Sequence, residues 1–332
     1  MTEIVSGIHQ LQIPIPNNPL GCTNVYLLQG DTGYILVDAG WSSQEALNSL
    51  RSQLTEIGVD FKDISQIIVT HAHFDHYGLA ENVRQLSQAK IALHQRDKEL
   101  LNPAFTDMER YIRQTEQWFR SNGVPDDELP GAAFLGMRRS TAPATPDITL
   151  HGGETIPAGT FSLQVTWTPG HSPGHVCLYE TNHKIFFSGD HILPVITPNI
   201  SLQPNSTLNP LGDFINSLNK IKPLDVKLCL PAHEHMFTNF RDRVDEIIQH
   251  HEQRNAEILA AINTGPQTAY QISQQITWMP EFGGMRFQDL APMDKRMAVS
   301  ETLAHLEAMR IDGRVVQINR DGIFHYQRTA KR

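Results

Sequence analysis

Residues 64–76 read Ile-Ser-Gln-Ile-Ile-Val-Thr-His-Ala-His-Phe-Asp-His. The apolar residues 64–70 predict a strand, which runs directly into four side chains that can bind metal ions. Side chains at the end of a strand can turn toward one opening. Histidine and aspartate also cap helices and form turns, but four such residues within six positions favour a metal site. The four are His71, His73, Asp75 and His76.

The order of these side chains suggests two metal ions rather than one. His71 and His73 could face one ion, and Asp75 and His76 a second ion roughly 3.5 to 4 Å away, as in known two-metal sites. Each ion would then need a further imidazole, and an anionic group would have to lie between the two ions.

Three later segments offer such groups at loop positions that follow predicted strands. Residues 168–175 read Thr-Pro-Gly-His-Ser-Pro-Gly-His, residues 188–191 read Ser-Gly-Asp-His, and residues 231–235 read Pro-Ala-His-Glu-His. Proline and glycine favour a tight loop in the first of these segments. The candidate ligands are His171, Asp190 and His233.

Strand and helix signals alternate around the motif. Residues 24–28 and 34–38 predict two strands joined by a turn, and residues 43–57 predict a helix with apolar side chains at three- and four-residue steps. This alternation predicts an α/β layered core. Residues from about 95 to 146 have the pattern of a helical insertion broken by glycine and proline.

The pattern changes again near residue 242. Three helical segments follow, of which the second opens with Thr268 and Gln271 in capping-box spacing. Two apolar segments then flank the turn at residues 320–322, which predicts a hairpin. Because 332 residues favour about two domains, we predict a first domain at 1–241 and a winged-helix-like domain at 242–332.

Composition narrows the classes of protein. With 27 basic and 36 acidic residues the net charge is −9, which argues against a general nucleic-acid binder. Residues 252–332 carry 10 Lys or Arg and 9 Asp or Glu, so the tail is not basic enough to promise nucleic-acid binding. The three cysteines are far apart and odd in number, which predicts neither a disulfide framework nor a thiolate metal site.

No segment has the length and apolar character of a membrane span, and residues 1–13 lack the features of a secretory signal. The expected location is therefore the cytoplasm, and no membrane partner is expected.

Read in order, the motifs HxHxDH, TPGHSPGH, SGD and PAH, preceded by Val-Asp-Ala-Gly at 37–40, resemble the metallo-β-lactamase superfamily of hydrolases over about residues 5–240. The resemblance implies the α/β class and a four-layered αββα sandwich with metals at one edge of the paired sheets. It also implies that Asp38 accepts a hydrogen bond from a ligand imidazole. The implied ligands are His71, His73 and His171 for the first ion and Asp75, His76 and His233 for the second, with Asp190 bridging.

Within that superfamily, the resemblance is strongest to lactamase-beta-like and glyoxalase II-type proteins. Asp190 stands where lactamases carry a cysteine or lack a bridging group, so antibiotic hydrolysis is not the expected task. The predicted winged helix also resembles the lactamase-beta-like group, some of which cleave single-stranded RNA.

These features predict a dinuclear metal hydrolase that uses a metal-bridging hydroxide, oriented by Asp75, on a small ester or thioester. Five histidines and two aspartates suit two zinc ions, although iron and manganese also accept such ligands. A single-stranded RNA endoribonuclease and a regulatory or binding protein that uses the tail stay open as alternatives. The expected partner is a small-molecule substrate; nucleic acid is not favoured, and a homodimer is compatible with the sequence.

Overall fold

Two β-sheets form the centre of the protein in a computed structural model that describes residues 1–106, 108–129, 145–204 and 206–329. The first sheet has the strand order β1 to β7, antiparallel from β1 to β4 and parallel from β4 to β7. Its strands are β1 (Thr2–Val5), β2 (Ile8–Pro14), β3 (Cys22–Gln29), β4 (Tyr34–Val37), β5 (Ile64–Ile68), β6 (Lys90–His94) and β7 (Ile148–Leu150).

The second sheet has the order β12-β11-β10-β9-β8, in which only the β11–β12 pair of these strands is parallel. Its strands are β8 (Thr155–Ala158), β9 (Phe161–Trp167), β10 (Val176–Glu180), β11 (Ile185–Gly189) and β12 (Leu228–Pro231).

Helices cover both outer faces of the paired sheets and form the C-terminal part of the chain. They are α1 (Gln44–Glu56), α2 (Phe74–Tyr77), α3 (Ala80–Ser87), α4 (Gln95–Thr106), α5 (Met108–Ser121), α6 (Pro210–Ile221), α7 (Phe240–Ala261), α8 (Ala269–Ser273) and α9 (Pro292–Ile311). Two short hairpins complete the C-terminal part, β13 (Thr277–Trp278) with β14 (Met285–Arg286) and β15 (Val315–Arg320) with β16 (Ile323–Arg328).

Strand β3 of the first sheet is buried on both faces. In β3, Val25 and Leu27 pack in the cluster that contains Leu50 of α1, while Tyr26 points into the cluster between the sheets. There the Tyr26 ring meets the ring of Phe187 on β11 edge-on, with centroids 5.3 Å apart. Successive side chains of a strand point to opposite faces, so the apolar run at residues 25–28 is what a strand covered on both faces requires.

The second sheet repeats this arrangement. Leu178 of β10 points toward the first sheet, whereas Cys177 and Phe186 face helices α6 and α7. The Phe186 and Phe240 rings lie 5.1 Å apart at that helix–sheet contact. The layers are therefore helix, sheet, sheet and helix, which confirms the expected αββα fold class.

Local signals in the sequence account for several helix ends. The Ser43 side chain accepts a hydrogen bond from the Ala46 amide at the start of α1. Thr268 and Gln271 form the predicted capping box at α8. Helix α9 begins with Pro292 in its first turn, several residues earlier than the apolar pattern near Met297 indicated.

The predicted insertion and the C-terminal segment share one apolar cluster. Phe119 of α5 and Val124 pack there with Ile258 of α7, Leu303 of α9 and Tyr326 of β16. The predicted boundary at 241/242 lies inside α7, whose first turns pack on the second sheet. The winged-helix assignment stays a prediction, and residues 130–144 of the predicted insertion lie outside the described residues.

No helix within the described ranges has both the length and the apolar character that a membrane crossing requires. The chain's three cysteines are all within those ranges and all free. Cys177 and Cys229 are fully buried, and burial raises the pKa of the Cys177 thiol to about 12.

A pair of histidines is buried between α7 and α9. His251 Nδ1 lies 3.2 Å from His305 Nε2, and His305 Nδ1 lies 2.8 Å from Asn255 Oδ1. Burial, with His250 and Arg254 adding to it, lowers the pKa of His251 to about 3. Burial also lowers the pKa of His305 well below its usual value. Both rings are therefore neutral in the folded protein well below neutral pH.

This pair predicts a loss of stability in acid. Below the ordinary histidine pKa of about 6.5 the unfolded chain takes up protons that the folded chain does not, so the free energy of unfolding falls as pH falls. We expect a His251→Gln/His305→Gln variant, measured by urea unfolding, to lose about 2 to 4 kcal/mol less than wild type between pH 7 and pH 5. A His325→Gln variant on the C-terminal hairpin is the control; equal acid losses in all three proteins would contradict the prediction.

Candidate metal centre

The seven predicted ligand residues lie together at one edge of the paired sheets. His71, His73, Asp75 and His76 follow the end of β5, His171 lies in the loop between β9 and β10, Asp190 follows β11, and His233 follows β12. Loops at one edge of a rigid sheet can hold side chains from distant parts of a sequence close together. The structure divides the seven into two groups in which the potential ligand atoms lie within 4.8 Å of one another.

The first group contains three imidazoles and one carboxylate. His73 Nδ1 lies 2.8 Å from His71 Nε2 and 3.0 Å from His171 Nε2. The Asp190 Oδ2 atom lies 3.4 Å from His171 Nε2 and 3.8 Å from His71 Nε2. Three ring nitrogens therefore point at one small volume beside a carboxylate.

The second group is formed by Asp75, His76 and His233. His233 Nε2 lies 3.3 Å from Asp75 Oδ2, and His76 Nε2 lies 3.7 Å from the same oxygen. One carboxylate and two imidazoles again converge.

Asp190 lies between the groups and contacts both. Its Oδ1 atom is 3.4 Å from His233 Nε2, and its Oδ2 atom is 3.4 Å from His76 Nε2 and from His171 Nε2. Its carboxylate is thus placed as a bridging group would be.

Each of four imidazoles is held by an oxygen at Nδ1 and directs Nε2 inward. The partners are Thr70 Oγ1 for His71 at 3.1 Å, Asp38 Oδ2 for His76 at 2.8 Å, the Asn199 carbonyl for His171 at 2.9 Å and the Cys22 carbonyl for His233 at 3.0 Å. An oxygen acceptor at one ring nitrogen leaves the other unprotonated and available to a metal.

Asp38 contacts a ligand candidate as the sequence predicted, and it also fixes the end of β5. Its carboxylate accepts hydrogen bonds from the Thr70 amide at 2.7 Å and from the Thr70 hydroxyl. Asp38 has a φ of 63°, a left-handed backbone conformation that aspartate adopts more readily than most residues. One strained turn residue therefore orients both His76 and the strand end that carries His71.

Buried polar atoms without partners test whether a metal fits. His76 Nε2, His233 Nε2 and Asp190 Oδ1 are buried and have no hydrogen-bond partner among the described residues. Buried polar groups are nearly always paired, so orphaned atoms that face one point call for an additional group. Nitrogen and carboxylate donors at that point fit a metal such as zinc.

The charges at the site are strongly coupled. Burial opposes ionisation of Asp190, but His233 and His76 hold the pKa of its carboxyl well below its usual value. For His76 burial acts in the opposite direction, and the carboxylates of Asp190, Asp75 and Asp38 raise its pKa well above the ordinary value. Despite burial, the carboxylate of Asp190, with further help from Asp75, raises the pKa of His233 to about 10. The carboxylates therefore favour positive charge at His76 and His233, on the side of the site where a metal cation would be held.

Sequence reasoning missed Asp97, which joins two of the ligand loops. Its fully buried carboxylate accepts hydrogen bonds from the Ala72 amide at 2.8 Å, the Ser172 hydroxyl at 3.0 Å and the Gly174 amide at 2.6 Å. A Cβ at Gly174 would lie 2.5 Å from the Asp97 amide nitrogen, so only glycine permits this approach. In the sequence Asp97 stands among charged residues and has no pattern that distinguishes it from a surface position.

His175 positions Asp190 rather than joining the ligand atoms. Its Nδ1 lies 2.9 Å from the Thr168 hydroxyl, and its Nε2 accepts a hydrogen bond from the Asp190 amide at 3.1 Å. Gly189, with a φ of 52°, makes room for this ring because a Cβ there would lie 2.7 Å from His175 Nε2.

Comparison with known proteins agrees with this geometry. The family model of the metallo-beta-lactamase superfamily matches residues 19–233. The probable metallo-hydrolase YqjP of Bacillus subtilis (strain 168) is 26% identical over 331 residues, which cover 97% of this chain and 98% of that protein. The acyl-coenzyme A thioesterase MBLAC2 of Gallus gallus is 27% identical over 220 residues, covering 64% of this chain and 73% of that protein.

A solved structure resembles the whole fold. The crystal structure of the metallo-beta-lactamase family protein TTHA1429 from Thermus thermophilus superposes with a TM-score of 0.82 at 29% identity and covers 98% of this chain and 100% of that one. The fold, the ordered motifs and the family match agree. The chain belongs to the metallo-beta-lactamase superfamily and is a metal-dependent hydrolase.

Proposed function

We propose that the protein is a dinuclear hydrolase of small esters, with thioesters as the preferred class. The observation that carries the proposal is the position of Asp190, whose two carboxylate oxygens face His171 and His76 on one side and His233 on the other. One group of residues would hold the first ion (His71, His73 and His171) and the other the second (Asp75, His76 and His233), with Asp190 shared. Five imidazoles and two carboxylates favour zinc, and they also accept iron or manganese.

When bound, two such metal ions supply Lewis acidity and lower the pKa of water toward 7. The protein contributes the fixed orientation of the ligands. Asp38, Thr70 and the carbonyls of Asn199 and Cys22 hold the imidazoles so that they need not reorganise during turnover.

Asp75 is the proposed catalytic carboxylate. Its side chain is 19% exposed, against 10% for Asp190 and 1% or less for His76 and His233. Although burial opposes ionisation, His76 and His233 lower the pKa of its carboxyl to about 2. It is therefore ionised at neutral pH and can accept a hydrogen bond from the attacking water, which directs a lone pair of the water oxygen at the substrate carbonyl carbon.

Hydrolysis then forms one carbon–oxygen bond and breaks the bond between the carbonyl carbon and the leaving sulfur or oxygen. The water supplies the hydroxyl of the acid product and the proton of the released thiol or alcohol.

Two observations support an acyl substrate. The half-buried Phe74, between His73 and Asp75 in sequence, meets the ring of Trp41 edge-on with centroids 6.4 Å apart. This places aromatic surface next to the ligand loop, where an apolar acyl group can pack. The relative MBLAC2 is named an acyl-coenzyme A thioesterase, which supports thioesters as the substrate class.

The test is a substrate screen on protein of known metal content. We expect metal analysis to find two equivalents and the loaded protein to hydrolyse acyl thioesters or esters. Removal of the metal by a chelator should reduce the rate by at least about 10³-fold, since several kcal/mol of transition-state stabilisation are lost. Readdition of zinc, manganese or iron to separate samples should restore activity and identify the productive metal.

The panel also contains lactones, phosphodiesters and single-stranded RNA at low salt. Cleavage of RNA without cleavage of any ester would replace this proposal by the endoribonuclease alternative. A fully loaded protein that hydrolyses no member of the panel, or thioester hydrolysis that persists after the metal is removed, would refute it.

A further inference from the structure

A segment between β11 and α6 supplies the hydrogen-bond partner of one candidate ligand. This site loop, defined as residues 193–204, contains Asn199, whose carbonyl accepts a hydrogen bond from His171 Nδ1 at 2.9 Å. The carbonyl thereby sets the tautomer of His171 and directs its Nε2 toward His73 and Asp190. A shift of the site loop would therefore change the orientation of His171.

Side chains and backbone of the C-terminal helices hold the site loop along its length. Arg243 of α7 donates to the carbonyls of Leu193, Val195 and Ile196 at 2.7 to 2.9 Å. Farther along the loop, the Leu202 amide donates to the carbonyl of Ser300 on α9 at 3.0 Å.

Between these anchors, α9 contacts Asn199 directly. The side-chain amide of Asn199 donates to Glu301 Oε2 at 2.7 Å, and the Ser201 hydroxyl donates to Asn199 Oδ1 at 2.5 Å. The neighbouring Ile200 is fully buried in the cluster that contains Ala304 of α9. Two hydrogen bonds thus hold the side chain of Asn199, while its backbone carbonyl faces the candidate metal centre.

Glu301 is buried, which is uncommon for a carboxylate. It is 8% exposed, and its Oε1 lies 3.9 Å from the Nε of Arg254. Arg254 is also buried, and its guanidinium lies over the Trp278 ring, 4.5 Å from the centroid. A buried carboxylate is costly unless it is paired and hydrogen-bonded, and the side-chain amide of Asn199 supplies one such hydrogen bond to Glu301.

We propose that Glu301 is a positioning residue for the metal centre, acting through Asn199 on His171. The C-terminal helices then belong to the metal-binding machinery, although none of their residues lies among the seven candidate ligands. This inference rests on the proposed function, because it requires that the seven residues bind metal.

The effect should be confined to one of the two metal positions. His171 belongs to the first group, whereas the second group takes its orientation from Asp38 and Cys22. A loss of general stability would weaken both positions alike. Weaker metal binding at only one of the two positions would therefore indicate that Glu301 acts by positioning His171.

The experiment is a cobalt titration of the metal-free, full-length protein, followed by visible absorption and by competition with a chelator. We expect Glu301→Ala to weaken one of the two equivalents about 10- to 100-fold, the usual effect of removing a group that orients a metal ligand, and to leave the other within about 3-fold. Glu301→Gln should restore most of the affinity, since its amide oxygen can still accept from Asn199.

Two further variants separate the pathway from a folding defect. Asn199→Ala keeps the carbonyl but removes the side-chain contact, so it should reproduce the Glu301→Ala effect; the double variant should add little more. Glu307→Ala, on the same helix in an ion pair with Arg310, is the matched control and should bind both equivalents as wild type does.

The outcomes are distinguishable. Equal weakening of both equivalents in Glu301→Ala and Asn199→Ala, or unchanged binding in both, overturns the positioning role and leaves the proposed function intact. A wild-type protein that binds no metal refutes the proposed function and this inference with it.

Discussion

Replacement of both His71 and His73 by alanine should remove hydrolysis almost completely. In the first group, His73 Nδ1 lies within 3.0 Å of the Nε2 atoms of His71 and His171, and alanine offers no ligand atom. We expect the rate to fall at least about 10³-fold, because the lost metal contributes several kcal/mol to the transition state. Metal analysis should show one equivalent fewer than in wild type.

A matched double variant, His151→Ala/His325→Ala, removes the same number of histidines away from the centre and should retain both metal and activity. Circular dichroism of both double variants would show whether the fold survives. Hydrolysis at the wild-type rate with unchanged metal content in the His71/His73 variant would exclude these histidines as ligands.

Replacement of Asp97 by alanine should produce the largest loss of stability from a single substitution outside the ligand set. The change leaves three donors, the Ala72 and Gly174 amides and the Ser172 hydroxyl, without their acceptor in a buried position. Each unpaired buried donor costs about 1 to 3 kcal/mol, and the charge is lost as well, so we expect a loss of about 3 to 5 kcal/mol in urea unfolding.

Asp97→Asn keeps the shape but turns an amide group toward one of these donors, so an intermediate loss is expected. Asp126→Ala breaks an exposed pair with Arg120 and serves as the control, with an effect within about 0.5 kcal/mol. If Asp97→Ala cost less than about 1 kcal/mol, the carboxylate would not be the link between the two loops.

The sequence singles out the seven candidate ligands because the relevant signal is local. Each candidate follows an apolar strand within a few residues, and strands of one sheet end at a common edge. The motif at 71–76 needs no long-range information, since its four side chains leave one strand end. The groups that orient the ligands were harder to identify, although the family resemblance indicated Asp38.

Asp97 and Glu301 show why the others were missed. Asp97 acts through hydrogen bonds to residues 25 and 77 positions away in sequence, and Glu301 acts on a residue 102 positions away. Asp97 stands in a charged helical segment, and Glu301 is a charged residue beside the apolar positions of α9, so a sequence pattern assigns both side chains to solvent. Their roles depend on tertiary contacts that bury them, which periodicity does not encode.

The helices and strands also differ in how well the sequence predicted them. The predicted bounds of α1 lie within one residue of the observed ones, and the predicted start of α8 at Thr268 is its N-cap. Strands β1 and β2 and the two-residue strands β13 and β14 were not predicted. The short strands β1, β13 and β14 owe their conformation to pairing with neighbours rather than to a pattern of their own.

The three cysteines differ in burial, so a thiol reagent can distinguish between them. Cys177 and Cys229 are sealed inside the second sheet's helix-facing layer, with thiols whose pKa burial raises so that they stay protonated. Cys22 is half-buried, and its own carbonyl holds His233. Burial also raises the pKa of the Cys22 thiol, but Cys22 alone of the three is partly exposed. A thiol-directed fluorophore should therefore label Cys22 ahead of the two buried cysteines, on the residue whose carbonyl holds the candidate ligand His233.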